Sequence, residues 1–273
     1  MGIGRLRDAI SSAANTLKDK VLKHDRNAAG ETPIILAIKN NQVEILNKLI
    51  DKNPALLSSP DSKGNFLLHE AGRYGQLEIL KSLLARLDQE HVEDLGVNTS
   101  NNAGETVLHL AARGGFYPVV KEAVNAGAEI GMADYERNSP LHLAALNGHV
   151  KVTYYLIDHL LRHFESQYEE LSKYVNAQNK AGNTPLHLAV LRGQKETAYA
   201  LVRKGRADTT IKNDEKETPL QLTEDANFQK DLSILAKTHE LTEEGIIINK
   251  NVSKDLGKFL EYLKEEKMNG DKQ

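Results

Sequence analysis

Histidine is the residue whose spacing in this 273-residue chain most invites a chemical interpretation. Imidazole can ligate a metal or transfer a proton near neutral pH. The four histidines that follow one recurring phrase are His69, His109, His142 and His187. Metal ligands must converge on one ion at about 2 Å, whereas equivalent positions of successive stacked units lie apart along the stack. We therefore interpret these four as structural histidines that tie Thr hydroxyls to the neighbouring backbone.

A second candidate is the pair His159 and His163, which the i, i+4 spacing puts on one face of a helix. A zinc hydrolase pattern needs a Glu between such histidines and a third ligand, and neither is evident. The chain also lacks a G-x-S-x-G elbow, a phosphate-binding glycine loop and any cysteine. We therefore predict that the protein is not an enzyme and has no catalytic, cofactor-binding or metal-binding residue.

Composition sets the class of protein. Aromatic residues make up 5% of the chain and Trp is absent, which predicts a core of Leu, Ile, Val and Ala in thin stacked helices. The net charge of −3 is not that of a general nucleic-acid binder. The absence of cysteine fits a reducing compartment, and no apolar run approaches the roughly 18 residues that span a bilayer. No secretory signal opens the chain, so we expect a cytoplasmic protein without integral membrane association.

One phrase recurs six times along the chain. It begins as Gly-Glu-Thr-Pro-Ile at residues 30–34 and returns near residues 64, 104, 138, 182 and 217. The units, called repeats one to six below, open at Asn27, Asp61, Asn101, Asp134, Asn179 and Asn213. Their intervals are 34, 40, 33, 45 and 34 residues, so two units carry insertions. Repetition at such a period predicts stacked units that bury one another's apolar faces.

The residue types of the phrase have physical reasons. The Thr hydroxyl can accept a hydrogen bond from an exposed backbone N–H at a helix start, and Pro fits the first helical position. Leu and Ala form the packing face. The Gly before Thr supplies a turn with positive φ. Arg137 and Lys216 stand at that Gly position, so we expect these two hairpin tips to differ in shape.

The phrase T-P-L-H-x-A at a period near 33 resembles the ankyrin repeat. The resemblance covers about residues 27–240 and implies an all-α solenoid of helix–turn–helix units with β-hairpin-like turns. Helical caps are predicted at both ends, over residues 1–26 and 241–273, the latter with a polar tail. The apolar residues that define these caps at helical spacing are Ile3, Leu6, Ile10, Leu17 and Val21, then Leu256, Phe259, Leu260 and Leu263.

The two insertions are not rich in Gly, Pro or Ser. We interpret them as lengthened second helices near residues 87–97 and 159–175 rather than as loops. They represent either drift at a tolerant position or a second binding surface. The residues of that second surface are Tyr154, Tyr155, His159 and Phe164.

The resemblance also implies a partner-binding surface, the concave face formed by hairpin tips and first helices. Its non-consensus residues make the contacts in proteins of this kind. The candidates here are Arg73, Tyr74, Arg113, Tyr135, Leu146, Asn147, Leu191 and Arg192. Arg and aromatic anchors among apolar contacts are typical of binding hot spots. We expect a monomer that binds another protein, through an extended or helical peptide with acidic character, across repeats two to five.

Four hypotheses for the whole chain follow. The first is an autonomous protein–protein interaction module. The second is a bacterial effector delivered to the host cytosol, because small cysteine-free ankyrin proteins with a Glu-rich end resemble such effectors. The third is a cytosolic domain of a channel or receptor, although the initial Met and polar C-terminus favour a complete chain. The fourth is a membrane-surface role for the basic residues within 1–23, to which we prefer the capping helix.

Overall fold

A computed structural model describes residues 31–90, 95–164, 167–237, 256–258 and 261. The predicted N-terminal cap over 1–26 lies outside these residues. Of the predicted C-terminal region 241–273, only residues 256–258 and 261 are described, and they are helical.

Helices account for nearly all of the regular structure. In chain order they are α1 (Pro33–Lys39), α2 (Val43–Lys52), α3 (Leu67–Tyr74), α4 (Leu77–Gln89), α5 (Val107–Gly114), α6 (Tyr117–Asn125), α7 (Pro140–Leu146), α8 (Val150–Phe164), α9 (Tyr168–Val175), α10 (Pro185–Leu191), α11 (Lys195–Arg203) and α12 (Ala226–Lys237). Short 3₁₀ turns occur at Pro54–Leu56 and Pro219–Leu222. No β-strand occurs in the described ranges, so the all-α prediction is confirmed.

Neighbouring repeats stack through their helices. The first helices α3, α5, α7 and α10 pack in succession, and the second helices α2, α4, α6, α8 and α11 do the same. The resulting core consists almost wholly of Leu, Ile, Val and Ala, with Tyr199 and Phe228 as its fully buried aromatic residues. Because each helix pair covers the next, the core runs through the described repeats instead of closing within one of them.

The repeated histidines fasten one repeat to the next. In repeat five the Thr184 backbone N–H donates to His187 Nδ1 at 3.1 Å, and the Thr184 hydroxyl lies 2.8 Å from the same nitrogen. The opposite ring nitrogen, Nε2, lies 3.1 Å from the Glu217 carbonyl of repeat six. Because Nδ1 accepts, the proton sits on Nε2 and is donated across the junction. The interpretation of these residues as structural histidines is confirmed.

A histidine makes the same contact across the three preceding junctions. His69, His109 and His142 reach the carbonyls of Glu105, Asn138 and Asn183 at 3.0, 3.1 and 3.2 Å. Burial lowers the pKa of all four histidines, and that of His142 falls to about 4. The junctions are therefore built from neutral imidazole.

The hairpin tips form a second ladder along the stack. Asn101 Oδ1 accepts from the Ala103 and Glu105 backbone N–H groups, both at 2.9 Å, which closes the tip of repeat three. Asn101 Nδ2 donates to Asn65 Oδ1 of the preceding repeat at 2.9 Å. Tyr135 of the next tip donates its backbone N–H to the Ala103 carbonyl at 2.9 Å. The tips are thus linked by side-chain and backbone hydrogen bonds.

The prediction that the tips at Arg137 and Lys216 differ in shape is wrong. Their φ angles of 59° and 68° fall in the same left-handed region as 78° at Gly104. Each also donates its backbone N–H to the residue that opens the repeat, Arg137 to Asp134 at 2.8 Å and Lys216 to Asn213 at 3.0 Å. The ladder of hydrogen bonds holds the turn, so a residue with a Cβ adopts the backbone conformation that favours glycine.

The insertions do lengthen second helices. α4 has 13 residues and α8 has 15, whereas α2, α6 and α11 have 10, 9 and 9. α4 ends at Gln89 and residues 95–97 are not helical, so the first extension is shorter than expected. The longer insertion adds a separate helix, α9, which packs against α8. No described helix is both long enough and apolar enough to cross a membrane.

Candidate partner-binding surface

The inner face of the stack is defined here by the hairpin tips and the C-terminal ends of the first helices. All eight residues predicted to bind a partner lie on it: Arg73, Tyr74, Arg113, Tyr135, Leu146, Asn147, Leu191 and Arg192. Tyr135 is the second residue of the tip of repeat four, and each of the other seven is one of the last two residues of a first helix or directly follows one. Their side chains differ sharply in what they contact.

The cations near the ends of the first helices of repeats one to three, Lys39, Arg73 and Arg113, are paired with carboxylates. Arg113 forms a salt bridge with Glu105, and Lys39 forms one with Glu31. In both pairs the acid stands eight residues before the base. This spacing is not a helical neighbour distance, so sequence reasoning did not find the pairs.

Arg73 is held in a similar way in repeat two. Its guanidinium lies 3.2 Å from a Glu70 carboxylate oxygen and donates to Asn65 Oδ1 at 3.3 Å. Burial raises the pKa of the Glu70 carboxyl, while Arg73 opposes that shift. Tyr74 beside it is half-buried, with the Lys39 ammonium 5.2 Å from its ring centre. These side chains are therefore engaged within their own or the adjacent repeat.

Glu105 explains why Arg113 is fixed. Only 9% of Glu105 is exposed, and its Oε2 accepts from Asn101 Nδ2 at 3.1 Å. Burial alone would raise the pKa of this carboxyl, but the hydrogen bonds from Asn101 and Arg113 bring it below its ordinary value. The carboxylate is thus ionised at neutral pH and holds the Arg113 guanidinium.

Repeats four and five present a different surface. Leu146 and Leu191 occupy the positions that Arg73 and Arg113 hold in repeats two and three. Leu191 is 52% exposed and Tyr135 is 64% exposed, while Leu146 is half-buried. The other large hydrophobic residues exposed in the described ranges, Ile45 and Tyr168, lie on a second helix and on α9. We call Tyr135, Leu146 and Leu191 the apolar patch.

Two polar residues border this patch. Asn147 Nδ2 donates to the Leu143 carbonyl at 2.8 Å, so this amide caps the end of α7. Arg192 is exposed, and none of the salt bridges among the described residues involves it. Arg192 is therefore the arginine of the predicted set whose charge the described part of the chain leaves uncompensated.

The aromatic residues of the second predicted surface pack largely on partners within the chain. Tyr155 meets Tyr117 edge to face with ring centres 5.5 Å apart, and Phe164 lies 5.2 Å from the Tyr174 ring. The Lys204 ammonium stands 5.0 Å above the Tyr154 ring. These contacts fasten the long helix α8 to its neighbours. No cluster of His, Asp or Glu suited to a metal ion occurs among the described residues.

Comparison with known protein families decides the family. A model described as "Ankyrin repeats (3 copies)" matches residues 8–94 and 87–168, and one described as "Ankyrin repeat" matches residues 181–214. These matches cover more than half of the chain. The chain belongs to the ankyrin-repeat family. Ankyrin repeats are a general protein–protein interaction module, and they build extended concave binding surfaces.

Curated relatives share the ankyrin repeats over about half of this chain. Synphilin-1 of Mus musculus is 29% identical over 135 residues, which is 49% of this chain and 14% of the relative. Ankyrin repeat and SOCS box protein 2 of Bos taurus is 32% identical over 138 residues, 47% of this chain and 20% of the relative. Transient receptor potential cation channel subfamily A member 1 of Homo sapiens is 32% identical over 133 residues, which is 46% of this chain and 12% of the relative. The chain thus spans a fifth or less of these relatives.

Proposed function

We propose that this chain is a non-catalytic module that binds another protein through the inner face of repeats four and five. The observation that carries the proposal is the exposure of Tyr135 and Leu191 on that face. Water-exposed apolar side chains on the same face of neighbouring repeats favour association, because their burial removes apolar area from water. An apolar patch with an adjoining arginine also has the composition of a binding hot spot.

The partner we propose is a helix or extended segment with apolar side chains for the apolar patch. Its acidic character is assigned to a carboxylate near Arg192, since Arg73 and Arg113 are already paired with Glu70 and Glu105. The sequence predicts an acidic peptide across repeats two to five. The ion pairs limit the proposed site for its acidic group to the end of the first helix of repeat five.

The similar proteins do not distinguish among the broader hypotheses for the whole chain. Their printed names include a cation channel and a SOCS box protein, and each covers far more than the shared repeats. A common fold does not fix function. The bacterial effector, the channel or receptor domain, the cytoplasmic location and the monomeric state stay predictions.

Peptides selected on the wild-type chain from a displayed library provide the test. The double variant Tyr135→Ala/Arg192→Ala should weaken binding of the selected peptides by more than tenfold, which corresponds to about 1.4 kcal/mol or more. Tyr168→Ala is the matched control, because Tyr168 is also an exposed tyrosine but lies on α9. Affinity is measured by calorimetry, with urea unfolding to verify that each variant is folded. Unchanged affinity in the double variant, or an equal loss in the control, contradicts the proposed site.

A further inference from the structure

Leu256 lies beyond the sixth repeat and is nonetheless completely buried. Its exposed fraction is 0%, and it belongs to the hydrophobic core together with residues of the repeats. An isolated helical segment cannot bury a leucine against itself, so another surface must cover this side chain. The position of Lys258, two residues further on, indicates where that surface is.

Lys258 lines a groove of about 560 Å³ on the central repeats. The other walls of this groove come from three successive repeats, with Gly115 from repeat three, Gly148, His149 and Val150 from repeat four, and Glu196 from repeat five. These residues form the turns between first and second helices, or lie next to those turns. We call this feature the turn groove.

The turn groove has a fixed backbone and a mixed lining. Gly115 and Gly148 have φ angles of 72° and 73°, which make the tight turns possible. His149 Nε2 lies 2.8 Å from the Arg113 carbonyl, which joins the turn of repeat four to that of repeat three. Val150 offers an apolar wall, and Glu196 offers an exposed carboxylate. This combination suits a segment that carries a leucine and a lysine.

The chain between the sixth repeat and Leu256 is long enough to reach back to the turn groove. Residues 238–255 number eighteen, which span up to about 60 Å when extended. Packed helices lie about 8–10 Å apart, so two repeats separate the end of α12 from the turn groove by roughly 20 Å. Helix α12 already covers the side of repeat five that faces repeat six. The Tyr199 hydroxyl of α11 donates to Asp231 of α12 at 2.8 Å, and the Tyr199 ring centre lies 5.6 Å from that of Phe228.

We propose that the helical segment containing Leu256 and Lys258 docks in the turn groove of repeats three to five of its own chain. Leu256 supplies the buried apolar contact, and Lys258 lines the groove together with the oppositely charged Glu196. The segment thereby acts as a strap across the middle of the solenoid instead of a lid on the sixth repeat. Because Gly148 directly follows Asn147, the strap also borders the inner face used in the proposed function.

The absence of cysteine from the chain permits a clean test by cross-linking. The variant Lys258→Cys/Glu196→Cys is treated at high dilution with a short bis-maleimide, and the product is mapped by mass spectrometry. Lys258→Cys/Lys151→Cys repeats the test with Glu196 intact, since Lys151 also lines the groove. The control is Lys258→Cys/Lys230→Cys, which places the second thiol on an exposed residue of α12.

Strap docking predicts an intramolecular link for both groove pairs, at least tenfold more abundant than in the Lys230 control. A preferred link to residue 230 overturns the proposal in favour of a cap on repeat six. A link found only between two chains overturns it in favour of an exchange between copies. Failure to form any link in the groove pairs also overturns it.

Hydrogen exchange gives an independent measurement on the full chain. Leu256→Asp should speed amide exchange at residues 146–153 at least fivefold and leave residues 226–237 unchanged. Ile45→Asp is the control, because Ile45 is an exposed aliphatic residue on α2, far along the chain from the strap. Faster exchange at 226–237 alone, or no difference from the control, rejects the strap. Neither experiment uses the selected peptides, so both outcomes are independent of the proposed function.

Discussion

The inner face has two halves that share a backbone and differ in chemistry. In repeats two and three the next-to-last residues of the first helices are Arg73 and Arg113, which are paired with Glu70 and Glu105. In repeats four and five the same positions hold Leu146 and Leu191, with Asn138 and Asn183 at the tips. The backbone turns, the histidine contacts and the tip ladder are the same in both halves.

This difference shows how a repeat separates stability from recognition. The repeated Thr, His and Asn side chains are directed at neighbouring backbone, so they maintain the stack wherever they occur. The ends of the first helices differ between repeats, with Arg73 and Arg113 in two of them and Leu146 and Leu191 in the next two. Paired charges there contribute little attraction for a partner, because they are already satisfied, whereas unpaired apolar area favours association.

The largest effect on stability is expected at the histidine contacts between repeats, which both halves share. His142 has a pKa of about 4 in the folded chain and about 6.5 when unfolded. The unfolded chain therefore takes up the proton first as the pH falls, so stability present above pH 6.5 is lost progressively down to about pH 4. The expected loss is about 3 kcal/mol. His142→Gln should flatten this part of the pH profile in urea unfolding experiments.

The Gln substitution is chosen because Gln221 occupies the same position in repeat six. There its Oε1 accepts from the Thr218 backbone N–H at 2.8 Å, so the helix start keeps its hydrogen bond. His163→Gln, at an exposed site on α8, is the control for removal of an imidazole outside the repeat junctions. A His142→Gln profile parallel to the wild type would show that this junction does not depend on neutral imidazole.

An intermediate effect should separate the two arginines. Arg113→Ala leaves the mostly buried Glu105 carboxylate without its cation and should lower the free energy of unfolding by about 1–2 kcal/mol at pH 7. Arg192→Ala should change it by less than about 0.5 kcal/mol. Because the pKa of Glu105 is lowered in the fold, its contribution is present above the unfolded pKa and is lost as the pH falls through the folded pKa. The loss of unfolding free energy caused by Arg113→Ala should therefore be smaller in acid. Equal losses in Arg113→Ala and Arg192→Ala would contradict the proposed difference between the two halves of the inner face.

The smallest effect concerns the tip that opens repeat four. Arg137 adopts φ 59° at a position where other tips have glycine. Arg137→Gly should raise the free energy of unfolding by about 0.5–1 kcal/mol, because glycine adopts this conformation without the Cβ penalty. The converse, Gly182→Ala, should be destabilising, since a Cβ there would lie 2.6 Å from the Asp214 backbone nitrogen. Thermal unfolding of both variants checks the pair, and a loss of stability in Arg137→Gly would show that the arginine side chain itself supports the tip.

Much of the fold was accessible from periodicity. The recurrence of Thr-Pro-Leu-His at residues 184–187 and its equivalents predicted the helix starts and the structural role of the histidines. Local rules failed where the stack imposes a conformation, as at Arg137 and Lys216. They also failed to find the Arg113–Glu105 pair, because its eight-residue separation crosses from a hairpin tip to a helix end. The sequence therefore predicted where the candidate residues lie in the repeat, but not the side chains that pair with them.

The sequence by itself determined the repeat, its family and the side chains that close each unit, because those contacts span three or four residues or recur in register. Only the tertiary structure decided which surface residues are free. Burial and ion pairing depend on the neighbouring repeat, so two arginines that look alike in sequence differ in whether a carboxylate compensates them. The same reason applies to Leu256: its helical spacing was visible in the sequence, but the surface that buries it is set by how distant segments meet.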